Sequence, residues 1–426
     1  MYIKFDKKRF LNHFAVVVFL WYGFTIGWQG KIWQGGSFYL NRILYVASII
    51  VCIVAWKNKK NLLGGILPFL MVLIVCFFNN GNIAHKSNTI MVWSLCAIIL
   101  FYYLSSNTCE WHVFLIKVLA IIGLLYAWTV IQCLITPSFF TKVCLPFFQH
   151  YGYANDMNNL YQGGYITGFS PHYSITAIYL AVTFGAAIAY GFASKFTSKK
   201  YSIIAIVIFA SILLTGKRAP SMFIVATTFI LYLLVHCDEP IKRWEKIILI
   251  ALSGVLVLLL AAQFIPHLLN VVNRFIETEE SGDIEMGRGI TRALALQLWL
   301  ENPLFGIGWD AFKYYYREFN GVFLNVHCVY VQLLCEVGVV GALPFYLFFV
   351  ISIVKAVLLL RRMTLDHEEN FSKHLVLIYS VYIQIFFLLY CLTGNPLYDN
   401  PTIFTYLMGC SMGEYYWLKR KEERLN

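Results

Sequence analysis

Long runs of apolar residues recur along this chain and constrain its fold more than any other feature. Each run has roughly 17–25 residues, the length that a helix needs to cross the hydrocarbon core of a bilayer. The runs do not alternate polar and apolar residues, as the strands of a membrane barrel would. Charged residues make up 13% of the 426 residues, against about 25% in a typical soluble domain. The chain is therefore predicted to be an all-α, polytopic membrane protein.

Twelve transmembrane helices are predicted in a single integral membrane domain, residues 1–426. Two outer connections are long, 136–171 and 266–327, and the second lies between spans 9 and 10. The spans are placed at 10–28, 39–56, 61–78, 87–104, 111–135, 172–192, 201–215, 219–235, 244–265, 340–360, 374–393 and 401–418.

Most of the 33 lysine and arginine residues lie in connections that share one side if both termini are cytoplasmic. Cytoplasmic loops of membrane proteins carry this excess, and long loops are largely exempt from it. The net charge of +11 follows from the same bias, so it does not predict a nucleic-acid partner. Cysteine and histidine show no zinc-binding spacing, and no metal or cofactor is predicted.

One basic pair departs from this distribution. Lys217 and Arg218 occupy the tight turn "GKRAP" between two apolar runs, on the side predicted to face outward. Two interpretations stay open. The pair is either a chance turn whose long side chains reach water, or an anion site at the outer membrane surface.

The loop 266–327 contains a predicted helix. Residues 289–300, "GITRALALQLWL", are strong helix formers with apolar residues on more than one face. This pattern is typical of a helix that lies at the membrane interface. Asn302-Pro303 ends it, because the residue before a proline avoids the helical region.

Arg288 and Arg292 are four residues apart and share one face of this helix. Two guanidinium groups there match the oxygens of a phosphate. The alternative is a solvated face with local pairing to Glu285 or Glu301.

His327 marks the point where the loop re-enters the membrane. A neutral imidazole there can accept a proton from a hydroxyl group near pH 7, and a structural role is the alternative. Glu336 lies near or within the membrane, where an unpaired charge is expensive, so it should pair with an arginine or be neutral. Gly338 and Gly341 allow the following helix to break or to pack closely.

Taken in order, these residues resemble the O-antigen ligase/polymerase family. The family pattern has an Arg, a Trp, a Pro and paired glycines, then a His, a Tyr and a Glu-x-Gly-x-x-Gly ending. Arg218 in "GKRAP" aligns with the arginine of the family's Ser-Arg-Gly-Ala turn, where Lys217 replaces the serine. Cys328 departs from the Asn that often follows the His. The matching residues are Arg288/Arg292, Trp299, Pro303, Gly306, Gly308, His327, Tyr330, Glu336, Gly338 and Gly341.

The resemblance implies a bacterial membrane glycosyltransferase that uses glycans linked to undecaprenyl diphosphate, at the outer face of the cytoplasmic (inner) membrane. Arg218, Arg288 and Arg292 are then expected to hold the diphosphate without a metal. His327 and Arg288 are the expected catalytic residues, with His327 as the base. The expected supporting residues are Lys217, Glu336, Tyr330 and His172.

Two activities are compatible with this resemblance. A polymerase joins lipid-linked repeat units into O-antigen or capsular polysaccharide, whereas a ligase transfers the finished chain to lipid A-core. The turn "TGNPLYDNPTIF", residues 393–404, and the abundance of Phe, Tyr and Ile favour a polymerase. A lipid-glycan transporter or flippase is the alternative from another class. It predicts repeated halves and charged groups near the midplane, whereas the unusual charges here gather at one face.

The expected partners are an undecaprenyl-diphosphate-linked oligosaccharide, membrane lipids, a chain-length regulator and a flippase. The outer loop 136–171 is rich in Tyr, Asn and Gly. Sugar sites favour aromatic faces with amide donors, so this loop either lines the channel for the acceptor glycan or only caps the outer surface.

Overall fold

A computed structural model describes residues 111–149, 154–237 and 288–425, with scattered positions in 10–20 and 263–280. Throughout these ranges the regular structure is helical and contains no strand. Five helices in them are long and apolar enough to cross a membrane. The predicted class, a multi-pass all-α membrane protein, is therefore confirmed.

The described helices vary widely in length, from single turns in the connections to a 37-residue helix. A π-helix at Phe140–Cys144 and a 3₁₀-helix at Pro266–Leu269 accompany them. In chain order the α-helices are α1 (His112–Ile135), α2 (Pro137–Phe139), α3 (Leu145–Gln149), α4 (Ala154–Gln162), α5 (Tyr173–Ala193), α6 (Lys199–Leu214), α7 (Arg218–Val235), α8 (Arg288–Glu301), α9 (Phe312–Asn320), α10 (Val329–Leu365), α11 (Phe371–Tyr390) and α12 (Asn400–Leu425).

Seven predicted spans coincide with α1, α5, α6, α7, α10, α11 and α12, and the predicted helix 289–300 coincides with α8. α10 extends beyond the predicted span 340–360 at both ends, from Val329 to Leu365, and it is broken at Gly338, where a break was expected. The count of twelve stays a prediction. The spans that lie wholly or mostly outside the described residues are 10–28, 39–56, 61–78, 87–104 and 244–265.

α5 forms the centre of the described bundle. It packs against α1, α6, α7 and α11, and 89% of its apolar stretch is buried in the protein. Its small residues, including Ala186 and Ala187, let these neighbours approach closely, as is usual for helix packing in membranes. In α7 and α10, in contrast, only 28% and 39% of the residues of the apolar stretch are buried. Because the stretch is apolar, its remaining surface is suited to contact with lipid chains.

α10 is interrupted at Gly338, whose φ of 62° and ψ of −171° are not helical. The segment that follows α8, residues 303–308, lies in this break. Four backbone hydrogen bonds of 2.8–3.1 Å join the two segments, from the N–H groups of Val339, Val340, Ile307 and Gly308 to the carbonyls of Pro303, Leu304, Cys335 and Glu336 respectively.

Glycine is required on both sides of this junction. Gly306 has a φ of 65°, and a Cβ atom there would collide with the backbone of Glu336. A Cβ atom on Gly338 would likewise collide with the backbone of Leu304. Both residues therefore combine a left-handed backbone with close contact between two segments of the chain, which other residues tolerate poorly.

Two ends of the bundle can be distinguished. The starts of α5, α7, α8 and α10, the end of α11 and the turn that precedes α12 meet at one end, which we call the site end. The ends of α5, α10 and α12 and the starts of α6 and α11 meet at the other, which we call the basic end. Contacts between elements define each of them: Val329 N–H donates to the Cys391 carbonyl at the site end, 2.9 Å away. At the basic end the rings of Tyr190 and Phe371 lie 6.2 Å apart.

Candidate functional site

His327 lies at the site end, directly before α10, with its backbone in the left-handed region at a φ of 55°. Its Nδ1 atom is 3.5 Å from the side-chain nitrogen of Asn395, in the turn between α11 and α12. The Tyr330 hydroxyl donates to the Leu388 carbonyl at 3.0 Å. The start of α10 is therefore fixed to the end of α11, and these contacts fix the position of His327.

α8 brings two arginines to the same place. Arg288 is its first residue, and the Thr291 hydroxyl bonds the Val326 carbonyl at 3.2 Å, next to His327. One turn on, Arg292 donates from Nη2 to the Leu392 carbonyl at 3.3 Å. α8 is thereby attached to both the re-entry point and the end of α11.

A third cation comes from the start of α7. Lys217 precedes α7 in an extended conformation, and its Nζ atom lies 5.7 Å from the ring centroid of Tyr173, the first residue of α5. Tyr173 also interacts electrostatically with Arg288. His172 caps α5, because its Nδ1 accepts a hydrogen bond of 3.1 Å from the Ser174 N–H. Four helix termini therefore converge around His327.

The electrostatics of His327 reflect this convergence. Burial, followed by the positive charges of Arg288, Lys217 and Arg292, lowers the pKa of His327 from 6.5 to about 4. The imidazole is therefore neutral at neutral pH. Burial also lowers the pKa of Arg288, but a guanidinium remains charged near pH 7. The site is a neutral base within a group of cations.

Glu336 is fully buried and bonded to four donors. Its carboxylate accepts hydrogen bonds from the N–H groups of Asp310 (2.8 Å) and Phe312 (3.3 Å). The Tyr398 hydroxyl (2.6 Å) and the Gln332 amide (3.0 Å) complete the set. These partners are backbone groups and neutral side chains, and no arginine is among them. Glu336 thus connects α10, the start of α9 and the turn before α12.

Lys217, Arg288, Arg292 and His327 are the predicted site residues that the structure brings together. Tyr330 lies beside them, and Glu336 lies two turns further along α10. Arg218 is the first residue of α7 and is half-buried. Lys217, for which the sequence predicted only a supporting role, is one of the cations whose charge lowers the pKa of His327.

Several residues of the site were not singled out from the sequence. Tyr390 and Tyr173 interact electrostatically with Arg288, and Asn395 contacts His327. Asp399 interacts electrostatically with Tyr390. Burial raises the pKa of Asp399 to about 6. A signal for part of this group was present, since Asn395, Tyr398 and Asp399 belong to the turn "TGNPLYDNPTIF".

Residues 203–346 match the model of a family described as O-antigen ligase. This segment, about a third of the chain, is similar to an O-antigen ligase domain. This O-antigen ligase domain includes the three cations and His327, and the predicted resemblance is confirmed at the level of the family. The match supports a role for this multi-pass membrane protein in lipopolysaccharide or polysaccharide assembly. No curated protein matches the chain.

Proposed function

We propose that this protein polymerises lipid-linked oligosaccharide repeat units of O-antigen or capsular polysaccharide. It transfers a glycan from undecaprenyl diphosphate to a sugar hydroxyl of another lipid-linked unit. In this proposal the termini are cytoplasmic and the site end faces outward from the cytoplasmic (inner) membrane. The observation that carries the proposal is the neutral His327 among Lys217, Arg288 and Arg292, inside the O-antigen ligase domain.

The cations hold the diphosphate. As the glycan leaves, the bond between its anomeric carbon and the diphosphate oxygen breaks, and negative charge grows on that oxygen. Arg288 and Arg292 offer fixed N–H donors, and Lys217 adds a third charge. Because all three are present before the reaction begins, they stabilise this developing charge without rearranging. The protein's own side chains supply this compensation, so the proposal requires no metal. Arg218, at the start of α7, is the fourth candidate contact.

His327 accepts the proton. The acceptor hydroxyl forms a new bond to the anomeric carbon and transfers its proton to the imidazole, so the atoms and charges of the transfer balance. A base with a pKa near 4 is weak at neutral pH. A diphosphate bound among the cations offsets their repulsion of the imidazolium and raises the His327 pKa towards its ordinary value of 6.5. Binding of the donor therefore strengthens the base.

The outer connection 136–171 supports a place for the acceptor. The Tyr165 ring stacks on that of Tyr173 with centroids 5.3 Å apart, and Tyr173 lies beneath Lys217. Within this connection the rings of Phe140 and Tyr161 stack at 3.9 Å. Aromatic faces of this kind suit the apolar faces of sugar rings. We expect the acceptor glycan to run along this connection towards His327.

A reaction with purified components tests the proposal directly. The full-length protein in detergent receives undecaprenyl-diphosphate-linked repeat units as both donor and acceptor. A polymerase yields a ladder of lipid-linked products on a gel, and Arg288→Ala should abolish the ladder while leaving the amount of protein unchanged. A ligase yields no ladder, but it transfers the glycan when lipid A-core is supplied. That outcome would replace the proposed activity with its alternative.

Deletion of the gene in its host separates these activities again. Loss of a polymerase leaves surface glycans that carry a single repeat. Loss of a ligase leaves long lipid-linked chains that are absent from the core. If intact repeat units instead fail to reach the outer face, the protein is a transporter or flippase, and unchanged surface glycans would exclude all three activities.

A further inference from the structure

The basic end of the bundle contains a cavity of about 680 Å³ between the last turns of α10 and α12. One wall is a stripe along α10 formed by Leu358, Arg361, Arg362 and Leu365. The other is a stripe along α12 formed by Trp417, Arg420, Lys421 and Arg424. In both stripes the residues follow the spacing i, i+3, i+4, i+7, so each stripe lies on a single helix face.

An ion pair holds the two walls in register. Lys355 on α10 donates to Glu414 on α12 at 2.6 Å. These residues lie three positions before Leu358 and Trp417, one turn into the bundle from each stripe. Lys355 Nζ also lies 6.0 Å from the ring centroid of Trp417. The groove therefore has a fixed base and opens beyond the helix ends.

The groove is strongly cationic. Its lining contains five basic side chains and one carboxylate, Asp366. Asp366 is already paired with Arg362 at 3.0 Å. Of the ion pairs found among the described residues, none includes Arg361, Arg420, Lys421 or Arg424. Four cations around one cavity repel each other, so an anion between them would be stabilised.

A second cavity on the opposite side of the same two helices provides a comparison. It has a volume of about 580 Å³ and shares Arg362, Arg420 and Arg424 with the first. Its own cations, Lys373 and Lys419, lie near the carboxylates of Glu368 and Glu423, and Lys373 pairs with Glu368 at 2.6 Å. This second cavity is lined by five basic side chains and three carboxylates, Asp366, Glu368 and Glu423. The bias of cytoplasmic loops towards lysine and arginine affects both cavities, so it does not explain why the first has one carboxylate and the second has three.

The apolar residues of the first cavity identify the kind of anion. Leu358 and Leu365 are exposed, at 47% and 48% of their surface, and Trp417 is half-buried beside them. Tryptophan is enriched where a membrane meets water. An anion held by the four cations would therefore lie at the level of the lipid headgroups, with an apolar surface next to it for acyl chains. Basic pockets between transmembrane helices bind phosphate headgroups in this way.

We propose that this groove is a binding site for an anionic phospholipid. The phosphodiester lies among Arg361, Arg420, Lys421 and Arg424, and the acyl chains lie along Leu358 and Leu365. The lipid joins α10, which carries Glu336 towards the site end, to α12, which follows the turn that contains Tyr398. The site is independent of the proposed glycan transfer.

Native mass spectrometry of the full-length protein in a neutral detergent tests this site. Phosphatidylglycerol, zwitterionic phosphatidylethanolamine and inorganic phosphate are the three probes. The test variant is Arg361→Gln with Lys421→Gln, two cations that line only the first cavity. The matched control is Lys373→Gln with Lys419→Gln, which removes the same charge from the second cavity. Both variants keep the Lys355–Glu414 pair.

Phosphatidylglycerol should remain bound to the wild-type protein where phosphatidylethanolamine does not. At about 1 kcal/mol for each cation near a membrane surface, the test variant should lose affinity about 30-fold. The control variant should bind as the wild type does. Equal retention in the test variant and the wild type would overturn the proposal, as would equal loss in the two variants. Displacement of the lipid by millimolar inorganic phosphate would show a site for the free anion instead.

Discussion

The two ends of the bundle both collect cations, but they hold them in different surroundings. At the site end Lys217, Arg288 and Arg292 surround a half-buried histidine, and their charges lower its pKa. At the basic end the cations lie on the last turns of helices, facing water. The Arg362–Asp366 pair there has side chains that are 51% and 59% exposed. Water screens such charges, so each cation there has much less effect on its neighbours.

The carboxylates differ between the ends in the same way. Glu336 at the site end is fully buried and accepts four hydrogen bonds from neutral groups. Glu414, towards the basic end, pairs with a lysine while about a quarter of each side chain remains exposed. Fixed, buried donors and charges are what a catalytic site requires. Burial therefore distinguishes the candidate site from the merely basic surface, whereas charge alone does not.

The largest expected effect comes from replacing one histidine at each end of the bundle and comparing the two variants. His327 and His367 both have a left-handed backbone, with φ of 55° and 48°. His327→Gln should reduce kcat about 10²- to 10⁴-fold, because it removes the proposed base. His367→Gln, in the exposed turn after α10, should leave kcat within about twofold, since it lies at the end of the bundle opposite to the site. Equal activities of the two variants in the purified polymerisation assay would remove His327 from the mechanism.

Glu336→Ala should have the next largest effect. It leaves two backbone N–H groups, a hydroxyl and an amide without their acceptor. Each buried donor left in this way costs about 1–3 kcal/mol. We expect a clearly lower melting temperature and, because the segment after Gly308 is displaced, a kcat reduced about 10²-fold or less.

Two further variants control this result. Glu336→Gln keeps the shape and one acceptor oxygen, and it should recover part of the stability. Glu414→Gln removes a carboxylate that is partly exposed, so its melting temperature should fall less than that of Glu336→Ala. A larger fall for Glu414→Gln would mean that the ends do not differ as described.

The helices of this fold could be predicted largely from the sequence, because an apolar run of sufficient length has few alternatives in a membrane. α8 was also predictable, since Pro303 ends it and its residues favour a helix. The extent of α10 was predicted less well. An apolar helix was expected after His327, but the span was placed only at 340–360, because Gln332 and Glu336 lower the apolar signal of the first turns. The structure shows that Glu336 is bonded to the start of α9 and to the turn before α12.

The site could be predicted in part. Arg288, Arg292 and His327 were recognised because they lie in one loop with a family pattern. The roles of Tyr173, Lys217 and Asn395 depend on three further segments that meet only in the folded protein. The sequence at the end of one helix does not show which other helix ends it will meet in the folded protein. For this reason Lys217 was given only a supporting role.

Lys217 provides the finest test of the comparison, through the pH dependence of activity. Burial, followed by three positive charges of which Lys217 carries one, lowers the His327 pKa to about 4. In the wild type, kcat/KM should stay level down to about pH 5 and then fall as the imidazole takes up a proton in the free enzyme. Lys217→Gln removes one repulsive charge, so the His327 pKa should rise and the acid limb should move upwards by up to about one pH unit.

The limb seen in kcat, which reports the complex with bound diphosphate, should already lie at a higher pH than the limb seen in kcat/KM. It should respond less to Lys217→Gln, because the diphosphate has offset much of the field. Lys200→Gln, at the basic end, should move neither limb. In Lys217→Gln the acid limb of kcat/KM could instead stay in place or move to lower pH. The cations at the site end would then act on the diphosphate alone, and the proposed coupling between donor binding and the strength of the base would be wrong.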